Sequence, residues 1–453
     1  MEILRRFTIT LLCLIVLTPL GLAWKAGTAK VVITPETPIW MAGYAARDKP
    51  AQGTGQDLYA KALALEDIRG NRVVLITTDL LGFSDEFISG VAKRIADSTG
   101  LSRDRLLFNA SHTHSGPALA RVLDIAYLMS PEQKEAVASY TLSLADKLVS
   151  LVETALSDLQ PCKVTHGYAT ASFAINRRVE TSSGFVIGAN RAGPVDHSVP
   201  VLAIDSERGS LRAVVFGYSC HNTTLQGSNY HYHGDYAGVA QEWLEKRYPD
   251  SIALFVTGTG GDSNPYPRGT RELAEEHGAS LGRAVADALT GPLYSIAPSI
   301  GATFDTVDLE FKVPPSRSVL EKQLEDENPH KRLHAKKFLA ELDANGSIDS
   351  NYSYPVQIWN LGNAITLVAL GGEVVGDYGF RIKREIEAKS VWVAGYSNDV
   401  SCYIPSRRIL REGGYEAEES MIYYGRPGSF QPTVEDRIMA KVHELSAKLR
   451  EEE

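Results

Sequence analysis

Short apolar runs rich in β-branched residues recur along the chain and alternate with longer stretches in which apolar residues follow a helical period. The runs that predict strands are residues 30–34, 72–78, 105–108, 211–216, 252–256, 365–370 and 391–394. The stretches that predict helices are residues 85–98, 131–159, 270–289 and 434–453. There is no regular βαβ period and no internal repeat. The pattern predicts a mixed α/β (α+β) fold in which central β-sheets are flanked by helices in a single large domain.

Residues 317–345 form an unusually charged segment, which contains the run EKQLEDENPHKRLHAKK. A charge-rich stretch of this kind is typical of a solvent-exposed helix. We therefore interpret it as a solvated helical excursion rather than as a functional site. No Pro-, Gly- or Ser-rich linker divides the chain, so the sequence favours one domain over two.

The N-terminal residues have the pattern of a targeting segment. Arg5 and Arg6 precede an uncharged apolar run over residues 7–22, and small residues stand at Gly21 and Ala23. We assign residues 1–23 to a signal peptide and residues 24–453 to the mature domain. The apolar run is shorter than the roughly 20 residues of a membrane span, and an uncleaved anchor is the alternative. The sequence thus predicts export to the periplasm or the cell exterior.

Composition and charge exclude other classes of function. The chain of 453 residues is 44% hydrophobic and 22% charged, with a formal net charge of −9. An acidic protein lacks the basic face that nucleic acids require. The three cysteines after residue 23 are Cys162, Cys220 and Cys402, and an odd number excludes a fully paired disulfide framework. Whether Cys220 and Cys402 pair or stay free is left open.

The strongest local signal is Ser-His-Thr-His-Ser-Gly-Pro at residues 111–117, after the predicted strand 105–108. On an extended backbone, residues two apart point to the same side. We therefore expect His112 and His114 to project together into one pocket at a strand end. Because histidine is the commonest metal ligand, the pair is a candidate metal site.

A second group of histidines follows strand 211–216. His221 comes soon after that strand and is expected to face the pocket. His231 and His233 lie in a Tyr- and Gly-rich loop, where we expect them to line a substrate entrance or to be exposed. Zinc hydrolases typically use three or more protein ligands and one water, so the histidines alone could form a site. The sequence leaves open which of them point inward.

Two more polar candidates follow strands late in the chain. Glu373 stands after strand 365–370, beside Gly371 and Gly372, which permit close backbone approach. Tyr403 ends the polar stretch of residues 395–403, which follows strand 391–394. Polar candidates thus repeatedly follow apolar strands, the arrangement by which a rigid scaffold presents loops for chemistry.

Taken in order, these motifs resemble those of the neutral, non-lysosomal ceramidase family, zinc amidases that cleave the N-acyl bond of ceramide. The similar segments are Gly-Thr-Ala at 27–29, Met-Ala-Gly-Tyr at 41–44, Asp-Leu-Tyr-Ala-Lys-Ala at 57–62, the motif at 111–117, Ile-Asn-Arg at 175–177, Cys-His at 220–221, Gly-Asp at 261–262, Gly-Glu at 372–373 and residues 395–403. They cover nearly all of the mature chain. The resemblance implies a neutral-ceramidase-like zinc hydrolase domain over residues 24–453.

The resemblance also implies roles for single residues. The implied ligands of a Zn²⁺ ion are His112, His221, Glu373 and Tyr403. His114 would face the reacting carbonyl and pass a proton to the leaving amine, Arg177 would steady the oxyanion, and Tyr415 would be the second active-site tyrosine. Zinc would lower the pKa of a water to about 7 and so make hydroxide available for attack.

Two departures from the family pattern bear on the substrate. Family members carry Gly-Asp-Val-Ser-Pro, whose serine is sometimes assigned as a nucleophile, whereas this chain has Gly-Asp-Ser-Asn-Pro at 261–265. Asn264 thus stands at the serine position, and Ser263 could replace the serine only after a local shift. We favour attack by metal-activated water, with Asn264 and Ser263 as substrate-binding candidates. The family's additional C-terminal β-sandwich domain has no counterpart after the Tyr415 region, so the resemblance is to the catalytic N-terminal domain.

The sequence therefore predicts a zinc-dependent amidohydrolase for ceramide or a related N-acyl lipid, with transient membrane-surface contact and no protein or nucleic-acid partner. The alternative keeps the zinc site but acts on a non-lipid amide or ester, such as an acylated sugar or an N-acyl amino compound. An apolar trough would favour the lipid, and a pocket rich in Tyr, Asn and Arg would favour the alternative. The third hypothesis is a non-catalytic binding protein, against which the complete set of ligand types argues.

Overall fold

The computed structural model describes residues 24–451, and the predicted signal peptide lies outside them. The strands are β1 (Trp24–Val32), β2 (Gly53–Thr54), β3 (Tyr59–Glu66), β4 (Arg72–Thr78), β5 (Leu106–Ala110), β6 (Gln160–Thr170), β7 (Ala174–Thr181), β8 (Gly184–Asn190), β9 (Ser198–Ser206), β10 (Leu211–Tyr218), β11 (His231–Tyr232), β12 (Ile252–Thr257), β13 (Ser263–Pro265), β14 (Tyr294–Ser295), β15 (Ile300–Glu310), β16 (Asn351–Leu361), β17 (Ile365–Leu370), β18 (Glu373–Val374), β19 (Val391–Ala394) and β20 (Tyr403–Ile404). The helices are α1 (Asp85–Thr99), α2 (Pro131–Ser157), α3 (Asp235–Arg247), α4 (Arg271–Thr290), α5 (Arg317–Gln323), α6 (Pro329–Asn345), α7 (Gly376–Glu385), α8 (Arg407–Glu412) and α9 (Val434–Glu451).

Two large sheets carry the architecture. The first sheet runs β12-β10-β9-β6-β1-β3-β4-β5, with β14 paired to β6. Its neighbours are antiparallel except at the two edges, where β10 and β12 are parallel and so are β4 and β5. The second sheet runs β15-β16-β17-β19, and β17 and β19 are parallel. Because parallel neighbours end on the same side of a sheet, the loops after these strands can gather at one place.

The alternation of side chains along the strands builds a four-layer sandwich of helix, sheet, sheet and helix. Leu75 and Val215 of the first sheet pack against Leu367 of the second in a shared core. The residues that follow point to the other face, where Ile76 packs with α1 and α2, and Phe216 packs with α3 and α4. Helices α7 and α9 cover the outer face of the second sheet. Both sheets are thus buried on both faces over their central strands.

The predicted mixed α/β fold, with sheets flanked by helices, agrees with this architecture. Strands 72–78, 365–370 and 391–394 have the predicted bounds, and the predicted helices are in place. The first strand is displaced, since the prediction began at Lys30 and β1 begins at Trp24. The alternation of small and polar residues in its first half hides it, and pairing with β3 and β6 defines it.

The charged segment 317–345 forms α5 and α6, as expected of a helical excursion. It is not merely solvated, because Leu320, Ala335 and Phe338 form a small buried core of their own. Within residues 24–451 there is no helix with the length and hydropathy needed to span a membrane. The three described cysteines are buried and free, so the open question on Cys220 and Cys402 is answered by two unpaired thiols.

Candidate metal centre

The predicted metal ligands meet where strands of both sheets end. His112 follows β5 and His221 follows β10, both in the first sheet. Glu373 begins β18 after β17 of the second sheet, and Tyr403 begins β20. Strands β18 and β20 are parallel, and Glu373 and Tyr403 are direct partners in that pairing. The fold therefore brings together four residues that are far apart in sequence.

His112 reaches the site through a left-handed backbone turn, not through an extended strand. Its φ is 60°, and β5 has already ended at Ala110. Two hydrogen bonds stabilise the turn, since the His112 backbone N–H donates to Leu80 O at 2.8 Å and Nδ1 donates to Leu81 O at 2.6 Å. The expectation that an extended backbone aligns His112 and His114 is thus wrong in its mechanism. The two rings nevertheless lie together, with centroids 4.8 Å apart.

The ends of the strands are joined by the fully buried side chain of Asn109. Its amide donates to Gly395 O at 2.8 Å and to Ser397 Oγ at 3.1 Å. Its carbonyl oxygen accepts a hydrogen bond from Thr257 N at 2.9 Å. One amide therefore fixes β5, the end of β12 and the loop that leads to Tyr403. A satisfied buried network of this kind makes the geometry of the site rigid.

Five nitrogen and oxygen atoms converge at the centre of the site. Glu373 Oε2 lies 3.0 Å from His112 Nε2 and 2.8 Å from His221 Nε2. His221 Nε2 is also 3.1 Å from Tyr403 Oη, and His112 Nε2 is 3.1 Å from His114 Nε2. All these side chains except that of His114 are buried. The centre is therefore a compact set of nitrogen and oxygen atoms that is buried except on the side of His114.

Backbone carbonyl groups hold the two imidazoles of the centre. Nδ1 of His112 and Nδ1 of His221 face the carbonyl oxygens of Leu81 and Gly260, so each Nδ1 carries a proton. Burial and then the neighbouring Arg177 lower the pKa of His221 to about 4, so this imidazole is neutral. The Nε2 of this neutral imidazole therefore carries a lone pair, and Glu373 Oε2 beside it is buried with no hydrogen-bond partner among the described residues.

A cation fits this arrangement. A buried carboxylate oxygen without a donor is costly, and lone pairs that face it increase the cost. A metal ion is the partner that nitrogen and oxygen lone pairs share. His112, His114 and His221 have ligand atoms close enough for one ion to be held by all three. The cluster could thus bind a metal, as the sequence predicted.

Arg177 lies against two of the predicted ligands. Its Nη2 donates to Tyr403 Oη at 2.9 Å, and its Nη1 lies 3.2 Å from His221 Nε2. Its Nε donates to the buried carboxylate of Glu416 at 2.8 Å. Burial lowers the pKa of Arg177, but Tyr403 and Glu416 outweigh burial and raise it well above its ordinary value. The guanidinium is therefore a permanent positive charge beside the centre.

The remaining predicted residues also lie at the site. The Tyr415 ring packs edge-on against the Tyr403 ring, with centroids 5.5 Å apart, and beneath the Arg177 guanidinium. Asn264 Oδ1 accepts hydrogen bonds from Thr223 Oγ1 at 3.2 Å and from Arg177 Nη1 at 3.5 Å. Ser263 contributes its backbone, because its carbonyl accepts the His221 N–H at 3.0 Å.

Comparison with known proteins identifies the family. A family model described as neutral/alkaline non-lysosomal ceramidase, N-terminal, matches residues 24–277, which is more than half of the chain. The chain belongs to this family. The resemblance seen in the sequence motifs is thereby confirmed, and the match takes in His112, Arg177 and His221.

Individual relatives agree with the family assignment. Neutral ceramidase of Pseudomonas aeruginosa is 24% identical over 254 residues, which are 54% of this chain and 37% of that protein. Neutral ceramidase A of Dictyostelium discoideum is 24% identical over 277 residues, 54% of this chain and 36% of that protein. The crystal structure of neutral ceramidase from Pseudomonas aeruginosa matches with a TM-score of 0.74 and 18% identity, over 95% of this chain and 75% of that chain. The aligned region therefore spans little more than a third of the curated relatives, and the structural match shows the family's fold.

Sequence reasoning missed several residues that contact the predicted ligands. Tyr424 donates a hydrogen bond to Glu373 Oε1, and Glu416 binds Arg177. Tyr396 is fully buried with its ring centroid 4.5 Å from that of His112. Tyr396 lies inside the polar stretch 395–403, which could have drawn attention to it. Tyr424 and Glu416 follow no strand, and no pattern in the sequence marks them.

The loop histidines stay outside the centre. His231 is exposed, which is one of the two positions expected for this loop. His233 is buried, and its Nδ1 accepts the backbone N–H of Asp235 at 2.9 Å. His233 also supports the motif at 111–117, because its carbonyl accepts a hydrogen bond from Thr113 Oγ1 at 2.7 Å. His233 therefore stabilises the fold of the loop, and neither histidine belongs to the metal cluster.

Tyrosines surround the accessible side of the centre. The edge of the Tyr44 ring meets His114 with centroids 4.9 Å apart. Tyr415 and Tyr424 both pack against Tyr403 and are partly exposed. A substrate that reaches the cluster therefore passes aromatic side chains whose hydroxyl groups are polar.

Proposed function

We propose that the chain is a zinc-dependent amidohydrolase that cleaves the N-acyl amide bond of ceramide or a related N-acyl lipid. The observation that carries the proposal is Glu373 Oε2, which is buried at 3.0 Å and 2.8 Å from two imidazole nitrogens and has no hydrogen-bond partner among residues 24–451. The curated relatives of the same family are named neutral ceramidases. A cation-deficient centre in a family of ceramidases supports metal-dependent amide hydrolysis.

Zinc suits the residues that would hold the metal. The proposed ligands are His112, His221, Glu373 and Tyr403, which offer two imidazole nitrogens and two oxygens, and zinc accepts both atom types. When bound, zinc supplies a Lewis acid that polarises a carbonyl group and lowers the pKa of water to about 7. The Nδ1 contacts to Leu81 and Gly260 orient the two imidazoles for this role.

Arg177 is the proposed oxyanion-stabilising residue. Its guanidinium is fixed by Glu416 and Tyr403, so its charge is held beside the centre without rearrangement. A preorganised donor that faces developing negative charge lowers the barrier to amide hydrolysis. Tyr415 packs below this guanidinium and is the proposed second donor.

His114 is the proposed proton donor to the leaving amine. Its Nε2 faces the cluster, and its Nδ1 is buried with no hydrogen-bond partner in the described part of the chain. The ring is partly accessible beside Tyr44, which supports contact with a substrate. A positioned histidine is the commonest group for such a transfer.

The position of Asn264 supports attack by water over an acyl-enzyme. Asn264 has no nucleophilic atom, and its Oδ1 already accepts hydrogen bonds from Thr223 and Arg177. Ser263 is buried in β13, and its backbone pairs with that of Asn176. We propose that Asn264 orients Arg177 and the substrate, while Ser263 supports His221 through its carbonyl group.

Export of the protein is part of the proposal. Arg5, Arg6 and the apolar run over residues 7–22 support a signal peptide, and they lie outside the described residues. N-terminal sequencing of protein collected outside the cytoplasm tests this assignment. A mature N-terminus at Trp24 is the expected result, and a retained Met1 would favour the uncleaved anchor.

The decisive experiment measures release of the sphingoid base from a short-chain ceramide by purified protein loaded with zinc. His112→Ala is expected to lose both bound zinc and hydrolysis. His231→Ala is the matched control, because it removes an exposed histidine away from the centre and should change neither. Zinc content is measured by elemental analysis of the same samples.

The two readouts separate the outcomes. Zinc-loaded wild-type protein that leaves ceramide intact would refute the lipid assignment, and the substrate search would move to acylated sugars and N-acyl amino compounds. Wild-type protein that binds no zinc would refute the metal centre itself. Hydrolysis that survives in His112→Ala would show that the reaction is carried elsewhere.

A further inference from the structure

Tyr424 fixes the second oxygen of the proposed ligand Glu373. Its hydroxyl donates to Glu373 Oε1, while Oε2 faces His112 and His221. The two carboxylate oxygens thus have different partners, so the carboxylate cannot rotate without loss of the Tyr424 hydrogen bond. Partners of this kind orient a metal ligand and raise metal affinity.

The chain that carries Tyr424 is bound from outside by helix α6. His334 Nε2 donates to Arg426 O at 2.8 Å, and Lys337 Nζ donates to Gly425 O at 2.5 Å. His334 and Lys337 are three residues apart, so they lie on one face of the helix. That face holds the two peptide carbonyls that directly follow Tyr424.

Gly425 allows this close approach. Its φ is +62°, and a Cβ atom there would lie 2.9 Å from Lys337 Nζ and 3.0 Å from Ile125 Cδ1. The backbone conformation therefore favours glycine, and a larger residue would displace the end of the Lys337 side chain from its contact. In the first turn of α6, the His330 ring meets the Tyr423 ring with centroids 5.3 Å apart. The helix therefore also contacts the residue that precedes Tyr424.

The same segment is joined to the loop that presents Tyr403. Arg426 Nε donates to Ser401 O at 3.1 Å, and its guanidinium lies over the Tyr352 ring. The segment is therefore held between α6 on one side and the metal-centre loops on the other. A helix whose sequence is charged and has no site motif thus makes contacts that lead directly to a proposed ligand.

We propose that α6 is a clamp, made by His334 and Lys337, that holds Tyr424 on Glu373 and thereby sets the affinity of the centre for its metal. This inference rests on the proposed function, because it takes Glu373 as a ligand. His334, Lys337 and Tyr424 are positioning residues, since they act through Glu373 and not on the substrate.

The test is a double-mutant cycle on zinc affinity, measured by competition of the metal-free protein with a chromophoric chelator. Tyr424→Phe is expected to raise the Kd for zinc about 10- to 100-fold. Lys337→Ala with His334→Ala is expected to raise it about tenfold, because Tyr424 is then held less firmly. The variant that combines the three substitutions should bind zinc as Tyr424→Phe does, because the effects of residues that act through the same contact are not additive.

Lys336→Ala is the matched control, because Lys336 is the adjacent lysine of the same helix and its side chain is exposed like that of Lys337. If the clamp variants bind zinc as tightly as Lys336→Ala and wild type, the clamp is refuted. The clamp would also be refuted if the increases in the Kd for zinc caused by the α6 substitutions and by Tyr424→Phe multiply in the combined variant. In that case α6 would act by another route. If loss of the buried His334 prevents folding, Lys337→Ala alone completes the cycle. Wild-type protein without zinc affinity would instead refute the proposed function. Neither result depends on a lipid substrate, because only zinc binding is measured.

Discussion

Two groups of ionisable side chains, each with a buried centre, differ in how their charges are balanced. The metal-centre cluster consists of His112, His221, Glu373 and Tyr403. The paired cluster consists of Lys30, Lys61, Asp79 and Glu245, and it borders an open cavity of about 460 Å³.

Every charge of the paired cluster has a partner. Lys61 Nζ donates to Glu245 Oε1 and to Ala253 O, each at 2.7 Å, and Lys30 Nζ donates to Glu245 Oε2 at 2.6 Å. Asp79 accepts hydrogen bonds from Tyr59 N at 2.9 Å and from Gln241 Nε2 at 3.0 Å. Such a network is satisfied by the protein alone. The cavity beside it therefore carries no comparable signal of missing charge.

The metal-centre cluster is unbalanced, because Glu373 Oε2 faces the lone pair of His221 Nε2 and has no hydrogen-bond partner in the part of the chain that the structure describes. Lys61 and Asp79 of the paired cluster are as deeply buried as the residues of the metal-centre cluster, so burial by itself does not mark a functional site. What distinguishes them is whether the buried polar atoms find partners within the chain. Four predictions test this distinction, beginning with the largest effect.

Glu373→Gln should abolish zinc binding and hydrolysis, because a ligand charge is lost. In metal-free protein the same change should increase the free energy of unfolding by about 1 kcal/mol, since the new amide can donate to His112 Nε2 or His221 Nε2. Denaturant unfolding with and without a chelator measures both states. A metal-free variant that is less stable than wild type would contradict the view that this centre is unbalanced.

Arg177→Met should lower kcat/KM about 10²- to 10³-fold while zinc stays bound, because a preorganised donor is removed and no ligand is lost. Steady-state kinetics and zinc content are measured together. Arg208→Met, at an exposed arginine on a surface turn, is the control and should behave as wild type. Loss of zinc in Arg177→Met would instead assign this residue to metal binding.

Lys61→Met should destabilise the fold by about 3 kcal/mol, because Glu245 loses a buried partner, while zinc affinity is unchanged. Lys246→Met is the control, since Lys246 pairs with Glu242 on the surface and should contribute less than about 1 kcal/mol. Urea unfolding and chelator competition give the two quantities. A change in zinc affinity would show that the paired cluster is coupled to the centre.

Glu245 should contribute a small, pH-dependent part of the stability. Burial raises the pKa of Glu245, but Lys61 and Lys30 outweigh burial and hold it below its ordinary value of 4.5. The unfolded chain therefore takes up this proton at a higher pH than the folded chain does. The stabilisation is complete above pH 4.5 and is lost as the pH falls through the folded-state pKa.

Glu245→Gln should accordingly reduce the loss of stability below pH 4.5, as measured by thermal unfolding across that range. Glu275→Gln removes an exposed carboxyl group beside the same cavity and is the control. An unchanged acid profile in Glu245→Gln would show that the pairing with Lys61 has no energetic effect at low pH.

The strands and most helices could be predicted because burial on one or both faces leaves a periodic trace. Strand β17 has the predicted bounds, since each of its residues from Ile365 to Leu370 is buried. The candidate site could be predicted as a set of polar residues after such strands. Its local geometry could not, because the left-handed turn at His112 depends on hydrogen bonds to Leu80 and Leu81, which are distant in sequence.

Contacts that join distant segments left no trace in the sequence. Tyr424 reaches Glu373 across 51 residues, and Glu416 reaches Arg177 across 239. The charged segment 317–345 reads as a solvated helix, although His334 and Lys337 bind the chain next to Tyr424. A periodic pattern reports which face of an element is buried and not which partner covers it.

The sequence by itself determined the layers of the fold and the residue types of the centre, because hydrophobic periodicity and short motifs are local properties of the chain. The tertiary structure alone decided which polar groups balance one another. Lys61 meets Glu245, whereas Glu373 Oε2 finds no hydrogen-bond partner within residues 24–451. That difference depends on distances and directions between segments that pack together, and the chemistry proposed for the protein follows from it.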